Sequence, residues 1–284
     1  MTLRVTIVSG VAAIALACAL GTVAYLRLHE QPRFPYLAHT LSDTDYAAMA
    51  AKPGWRPQRL TVAAGVELRG LRRDPATAGG PWILFFAGND QRMLSQSQLI
   101  LDGLCAERGW GGSVWAYRGF DSSGGTPDPA ALTADGIAEY LALLTEERIQ
   151  PSAVHLVGFS LGTSIAAAVA AQAHKEPPAT LTLLAPMTVL YMGGRTQLRL
   201  HRYETSKWLA RIASPTLVLH GTRDTVLNVE NGRTVAQTLE SRATFLELPE
   251  LGHLDLPTSQ AAQAAVRAFI SQHAVRSHSA QVHP

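Results

Sequence analysis

Short continuous apolar runs recur along most of this chain, each bounded by turn residues and followed by a stretch with helical spacing. Trp82-Ile83-Leu84-Phe85-Phe86, Ser113-Val114-Trp115-Ala116-Tyr117, Val154 to Phe159, Leu181 to Ala185, Pro215 to His220 and Thr244 to Leu248 all have strand length. Runs that are apolar throughout, without period-two alternation, predict strands buried on both faces, as in a parallel sheet. Between them, helices are predicted over Ser95 to Arg108, Leu132 to Glu147, Leu161 to Ala173, Val229 to Leu239 and Ser259 to His273. Arg59 to Val62 and Val66 to Gly70 flank Ala63-Ala64-Gly65 and read as a hairpin that opens the domain. Alternating strands and helices predict an α/β fold with a mostly parallel central sheet and helices on both faces. The domain spans 58–273, and the tail 274–284 is expected to be disordered.

The N-terminus carries a different pattern. Val5 to Leu26 is a run of 22 residues without a charge, flanked by Arg4 and Arg27. As a helix rising about 1.5 Å per residue it matches a hydrocarbon core of roughly 30 Å, which predicts an N-terminal transmembrane helix within 1–30. The alternative is a signal sequence, since Ala15-Leu16-Ala17 and Ala17-Cys18-Ala19 resemble small-residue cleavage sites, or a lipoprotein modified at Cys18. Arg4, Arg27 and Arg33 lie on both sides of the run and leave orientation open. Pro32, Pro35, Pro53 and Pro57 mark 31–57 as an irregular tether.

Composition narrows the function. The 284 residues are 47% hydrophobic and 16% charged, enough for one large core but short for two domains. A formal net charge of +2, with basic residues scattered, excludes a nucleic-acid footprint. The two cysteines, Cys18 and Cys105, lie in an apolar run and a predicted helix, so they are not expected to pair.

Candidate chemistry centres on Gly158-Phe159-Ser160-Leu161-Gly162, which ends a predicted strand and opens a predicted helix. A serine on so tight a turn needs small neighbours two residues away on each side. A serine hydroxyl also needs a base within hydrogen-bond reach and a carboxylate to orient that base. Of ten histidines, His253 lies in the turn between the last strand and the last helix. His220, at the end of the preceding strand, is its rival. His201 falls in a candidate lid, and His155 points into packing. Asp224 sits in a turn at the carboxyl edge of the sheet, where catalytic groups gather in open α/β folds. Asp255 competes with it but is better suited to shaping the turn around His253, and Asp90 and Asp121 are candidates for substrate contact. The acyl-transfer oxyanion would take the backbone N–H groups of Leu161 and of Asn89 in Ala87-Gly88-Asn89-Asp90.

With those residues in place the chain resembles the α/β-hydrolase superfamily over about Leu60 to Ile270. Phe86-Ala87-Gly88-Asn89 is similar to the His-Gly-Asn oxyanion loop, with Ala87 where the family usually has histidine. Tyr117-Arg118-Gly119-Phe120-Asp121-Ser122-Ser123-Gly124 resembles the Tyr-Arg-Gly…Ser-x-Gly loop, and the elbow and Gly252-His253 complete the set. The branch it most resembles is serine-aminopeptidase-like and includes membrane-associated esterases and acyl-protein thioesterases. That resemblance implies hydrolysis of an ester, a thioester or occasionally an amide, with no metal or organic cofactor. Expected substrates are a small acyl ester, a lipid or an acyl-protein at a membrane, with no nucleic-acid partner. A short lid is expected over about 187–212, mixing Tyr191, Tyr203 and Trp208 with Arg195, Arg199 and Arg202. A peptidase or amidase with the same residues, and a non-catalytic binding protein of the same fold, are the competing readings.

Overall fold

A computed structural model describes residues 33–146, 148–173, 175–192 and 201–279. In chain order its elements are β1 (Arg33–Phe34), α1 (Asp43–Ala50), β2 (Trp55–Thr61), β3 (Glu67–Arg73), β4 (Trp82–Phe86), α2 (Met93–Cys105), β5 (Gly111–Trp115) and α3 (Pro129–Glu146). These are followed by β6 (Val154–Phe159), α4 (Leu161–Gln172), β7 (Thr180–Leu184), β8 (Val189–Met192), β9 (His201–Glu204) and α5 (Ser206–Leu209). The chain continues through β10 (Thr216–Gly221), α6 (Glu230–Leu239), β11 (Ala243–Leu248) and α7 (Gln260–Ser279).

Eight strands form one sheet in the order β11-β10-β7-β6-β4-β5-β3-β2. From β11 to β5 every pairing is parallel, whereas β3 pairs antiparallel with both β5 and β2. Every residue of β4, β5, β6, β7 and β10 is buried, which is why those segments lack alternation. The two edge strands, β2 and β11, alternate between more and less covered positions instead. Helices α2 and α7 pack together over one face, while α3, α4, α5 and α6 form a chain of contacts over the other.

Three expectations change. Residues 33–57 are not an irregular tether, because β1 pairs with β8, and α1 buries Tyr46 and Met49 against the domain. The hydroxyl of Tyr46 donates to the carbonyls of Gln58 and Gly70, joining this segment to the β2–β3 hairpin. The lid region is a small three-stranded sheet, β1-β8-β9, followed by the short helix α5. The final helix continues to Ser279, six residues beyond its expected end at His273, into the segment read as a disordered tail.

Among the described residues no helix is long and apolar enough to cross a membrane. The predicted span, Val5 to Leu26, lies outside those residues, as do Cys18, Arg195 and Arg199. Cys105 is buried on α2 as a free thiol, and burial pushes its pKa up to about 12, so it behaves as a core residue.

Candidate active site

The turn between β6 and α4 holds Ser160 at φ 51° and ψ −117°, a conformation that costs a residue with a Cβ about 1–3 kcal/mol. It is held by its surroundings. The Ser160 amide donates to Leu184 O on β7 at 3.0 Å, and Thr163 Oγ1 donates back to Ser160 O at 2.6 Å. The neighbouring glycines are sterically required. A Cβ on Gly158 would lie 2.6 Å from Gly162 O, and one on Gly162 would lie 2.0 Å from Phe86 O.

Three residues from three different loops meet at this turn. Ser160 Oγ lies 3.0 Å from His253 Nε2, and His253 Nδ1 lies 2.6 Å from Asp224 Oδ2. The Asp224 carboxylate is acceptor-only, so the imidazole proton sits on Nδ1 and is donated to it. That leaves the Nε2 lone pair to accept from the serine hydroxyl. Phe159 stacks at a tilt beside the imidazole, with ring centroids 5.0 Å apart, and limits its swing.

Asp224 is more heavily hydrogen-bonded than its turn position implied. Its Oδ1 accepts from the amides of Val226 and Leu227 at 2.8 and 2.7 Å. Behind it His220 Nε2 lies 3.3 Å from Oδ2 and 2.8 Å from Leu227 O. Both neighbours of His220 Nε2 are acceptors, so that nitrogen carries the proton and shares it between them. Burial alone would raise the Asp224 pKa, but the hydrogen bonds from His220, His253 and the Leu227 amide outweigh it and hold the carboxyl well below the ordinary range. His220 thus bonds the Asp224 carboxylate from behind, while His253 is the histidine that faces Ser160.

The remaining candidates separate cleanly. Asp255 accepts from the Gly252 amide at 3.3 Å and shapes the turn that presents His253. His155 is fully buried, with Nδ1 2.8 Å from Thr180 Oγ1. Asp90 lines the cavity beside Ser160 and accepts from the Arg92 amide. Asp121, expected near substrate, is buried and accepts from the Leu94 amide in the first turn of α2 at 2.7 Å.

The loop 87–90 is fastened from two sides. Tyr117 Oη donates to Ala87 O at 2.8 Å, and this buried bond fixes the loop's backbone at the position where the family usually has histidine. The Asn89 side chain also bonds outward, to the β1 segment. Gly162 lets the start of α4 approach the end of β4, and a Cβ on Gly88 of the loop would lie 3.0 Å from the Phe159 ring and 3.5 Å from Ser160 Cβ. Among the described residues, neither the Leu161 nor the Asn89 amide donates to another group.

A cavity of about 440 Å³ opens onto Ser160 and His253. Its walls are mostly apolar, including Leu37, Met93, Ile100, Leu190 and Met192, and at its rim Leu254 is 73% exposed. Among the described residues no group of His, Cys, Asp and Glu is arranged to hold a metal ion.

A family model described as the alpha/beta hydrolase fold matches residues 104–200, which include the elbow. An uncharacterised protein of Mycobacterium tuberculosis is 29% identical over 244 residues, covering 81% of this chain and 84% of its own length. An alpha/beta hydrolase domain-containing protein of Caenorhabditis elegans, aho-3, is 26% identical over 84% of this chain and 76% of its own. These matches support placing the chain in the α/β-hydrolase superfamily. Among solved structures, an esterase of Pyrococcus furiosus superposes with a TM-score of 0.62 over 87% of this chain and 97% of its own, at 14% identity. The esterase domain of a Rhodothermus marinus protein shares the fold too, with a TM-score of 0.57 over 78% of this chain and 99% of its own, at 18% identity.

The buried position of Asp121 has a measurable consequence. Burial pushes its carboxyl up to about 6, opposed by the Leu94 amide and His39 and reinforced by Asp90. In the unfolded chain it ionises near 4, so between those values the folded state binds more protons. Its contribution to stability is full below about pH 4 and is lost as pH rises through 6. Asp121→Asn keeps an acceptor for Leu94 without the buried charge. We expect the variant to gain stability over wild type at pH 7.5 relative to pH 4.5, measured by denaturant midpoints. An equal difference at both pH values would show that Asp121 does not titrate in this way.

Proposed function

We propose that this protein is a serine hydrolase that cleaves carboxylic esters or thioesters through an acyl-enzyme on Ser160. The observation that carries the reading is the continuous Ser160–His253–Asp224 hydrogen-bonded chain, 3.0 and 2.6 Å, at the end of an apolar cavity. His253 Nε2 takes the Ser160 proton as Oγ attacks the acyl carbon, and Asp224 stabilises the resulting imidazolium. The tetrahedral oxyanion accepts from the Leu161 and Asn89 amides, a contribution of several kcal/mol where water is excluded. Collapse expels the alcohol or thiol, which receives the proton from His253. Water then repeats the sequence and releases the acid. No step requires a metal or an organic cofactor.

The apolar cavity and exposed Leu254 at its rim favour an acyl ester, a lipid or an acyl-protein as substrate. The run 5–26 is read as a membrane anchor, with a cleaved signal sequence as the other outcome. Retention in the membrane fraction after alkaline extraction distinguishes the two.

A fluorophosphonate probe tests the nucleophile. Wild type is expected to label covalently and Ser160→Ala to remain unlabelled. Equal labelling of the two would remove Ser160 from the mechanism. Turnover of acyl esters and thioesters against aminoacyl amides, with the same protein, assigns the bond. Faster turnover of the amides would replace the esterase reading by an amidase one.

A further inference from the structure

The segment Arg33 to Leu37 reaches the wall of the cavity through Leu37. Arg33 and Phe34 pair in parallel with Tyr191 and Met192, and Met192 and Leu190 of that same strand line the cavity that holds Ser160. Tyr36 places its hydroxyl 2.8 Å from His201 Nδ1 and 2.9 Å from Tyr203 Oη, and its ring meets Phe120 edge-on at 6.3 Å. Leu37, next along the chain and half-buried, lines the cavity with Ser160 and His253.

The clasp that holds this strap is the side chain of Asn89. Its Nδ2 donates to Pro35 O at 2.8 Å and its Oδ1 accepts from the Leu37 amide at 2.9 Å. The carboxamide thus engages one carbonyl and one amide two residues apart, as a neighbouring peptide group in a sheet would. A turn asparagine serving only its own loop would bond to local backbone. Here it ties the loop whose main-chain N–H is assigned to the oxyanion onto the segment that carries Leu37.

We propose that Leu37 sets the length of acyl chain the cavity accepts, and that the Asn89 side chain is a positioning group for both Leu37 and its own main-chain N–H. The inference rests on the ester-hydrolase reading above. Leu37 can act this way because one more or one fewer methylene in an apolar pocket changes discrimination by about 10- to 200-fold. A side chain supplied by the strap adjusts the cavity without touching the sheet that carries Ser160.

The test uses full-length protein and 4-nitrophenyl esters of butyric and dodecanoic acid, with the ratio of kcat/KM values as the readout. Leu37→Ala is expected to raise the dodecanoyl-to-butyryl ratio about tenfold, and Leu37→Phe to lower it about tenfold. Opposite shifts cannot both arise from loss of fold. Asn89→Ala is expected to raise the ratio toward that of Leu37→Ala and to lower kcat on the butyryl ester about tenfold, with KM nearly unchanged. Asn89→Asp, which keeps the acceptor for Leu37 but sets a carboxylate oxygen against Pro35 O, should behave like Asn89→Ala. If wild type turns over both esters and the two Leu37 variants keep its ratio, or shift it in one direction, the assignment of Leu37 is overturned while the hydrolase reading stands. If the Leu37 ratios shift as expected and Asn89→Ala leaves both ratio and kcat at wild-type values, the positioning role of Asn89 is overturned. If wild type neither labels at Ser160 nor hydrolyses either ester, the hydrolase reading falls and this inference with it.

Discussion

Replacing Asp224 by Asn is expected to lower kcat on an ester substrate about 10⁴-fold while KM changes little. The reason is a tautomer. Asp224 accepts the Nδ1 proton of His253 at 2.6 Å, which keeps the Nε2 lone pair facing Ser160. An amide at this position turns its NH₂ toward Nδ1 and draws the imidazole proton to Nε2, where it can no longer accept from the serine. Asp224 lies behind His253 and does not line the cavity, so substrate binding is spared. Asp255→Asn retains an acceptor for the Gly252 amide and should leave turnover close to wild type. Steady-state kinetics of the two variants decides the matter, since a loss confined to Asp255→Asn would exchange the roles assigned to them. The same carboxyl also couples folding to acid. Its pKa is depressed in the folded state, so its stabilisation is present above about pH 4 and is lost as pH falls toward the folded value. Asp224→Asn should therefore unfold with a weaker pH dependence below 4.

The parts of this site that were legible in the sequence are those imposed by chain order and burial. Strands covered on both faces must be apolar throughout, so β4, β6, β7 and β10 announced themselves within a residue or two of their ends. Ser160, Asp224 and His253 follow in order at the carboxyl ends of strands, where side chains can converge without disturbing the sheet. What was not legible depends on which way a side chain faces. His220 lies at the end of one strand and His253 in the turn after the next, and only the packing shows that one supports Asp224 while the other faces Ser160. The sequence around Asn89 points only to its backbone N–H, and nothing in Ala87-Gly88-Asn89-Asp90 indicates that its carboxamide grips Pro35 and Leu37. A two-residue strand such as β1 has no period to detect, and its partner lies far along the chain. The helix α1 did leave a signal. Ser42 precedes Asp45 by three residues and caps its amide at 3.0 Å, a pattern that marks a helix start even among prolines.

The elbow also supplies the strongest test of geometry independent of any acid or base. Gly162→Ala adds one methyl group 2.0 Å from Phe86 O, a backbone atom that cannot rotate away. Either α4 or the end of β4 must move, and overpacking of this kind costs about 1–3 kcal/mol, occasionally more. The displaced groups are the ones that matter most for chemistry. Phe86 leads into the loop of Gly88 and Asn89, and α4 begins with the Leu161 amide, so a separation of the two elements widens the gap between the proposed oxyanion donors. We expect a lower thermal midpoint together with a fall in kcat of about 10²-fold or more, comparable to removing one such donor. Loss of kcat should persist at temperatures where the variant is fully folded, as monitored by circular dichroism. A folded Gly162→Ala protein with wild-type kcat would show that the close approach of α4 to β4 serves packing alone, and that the oxyanion is bound elsewhere.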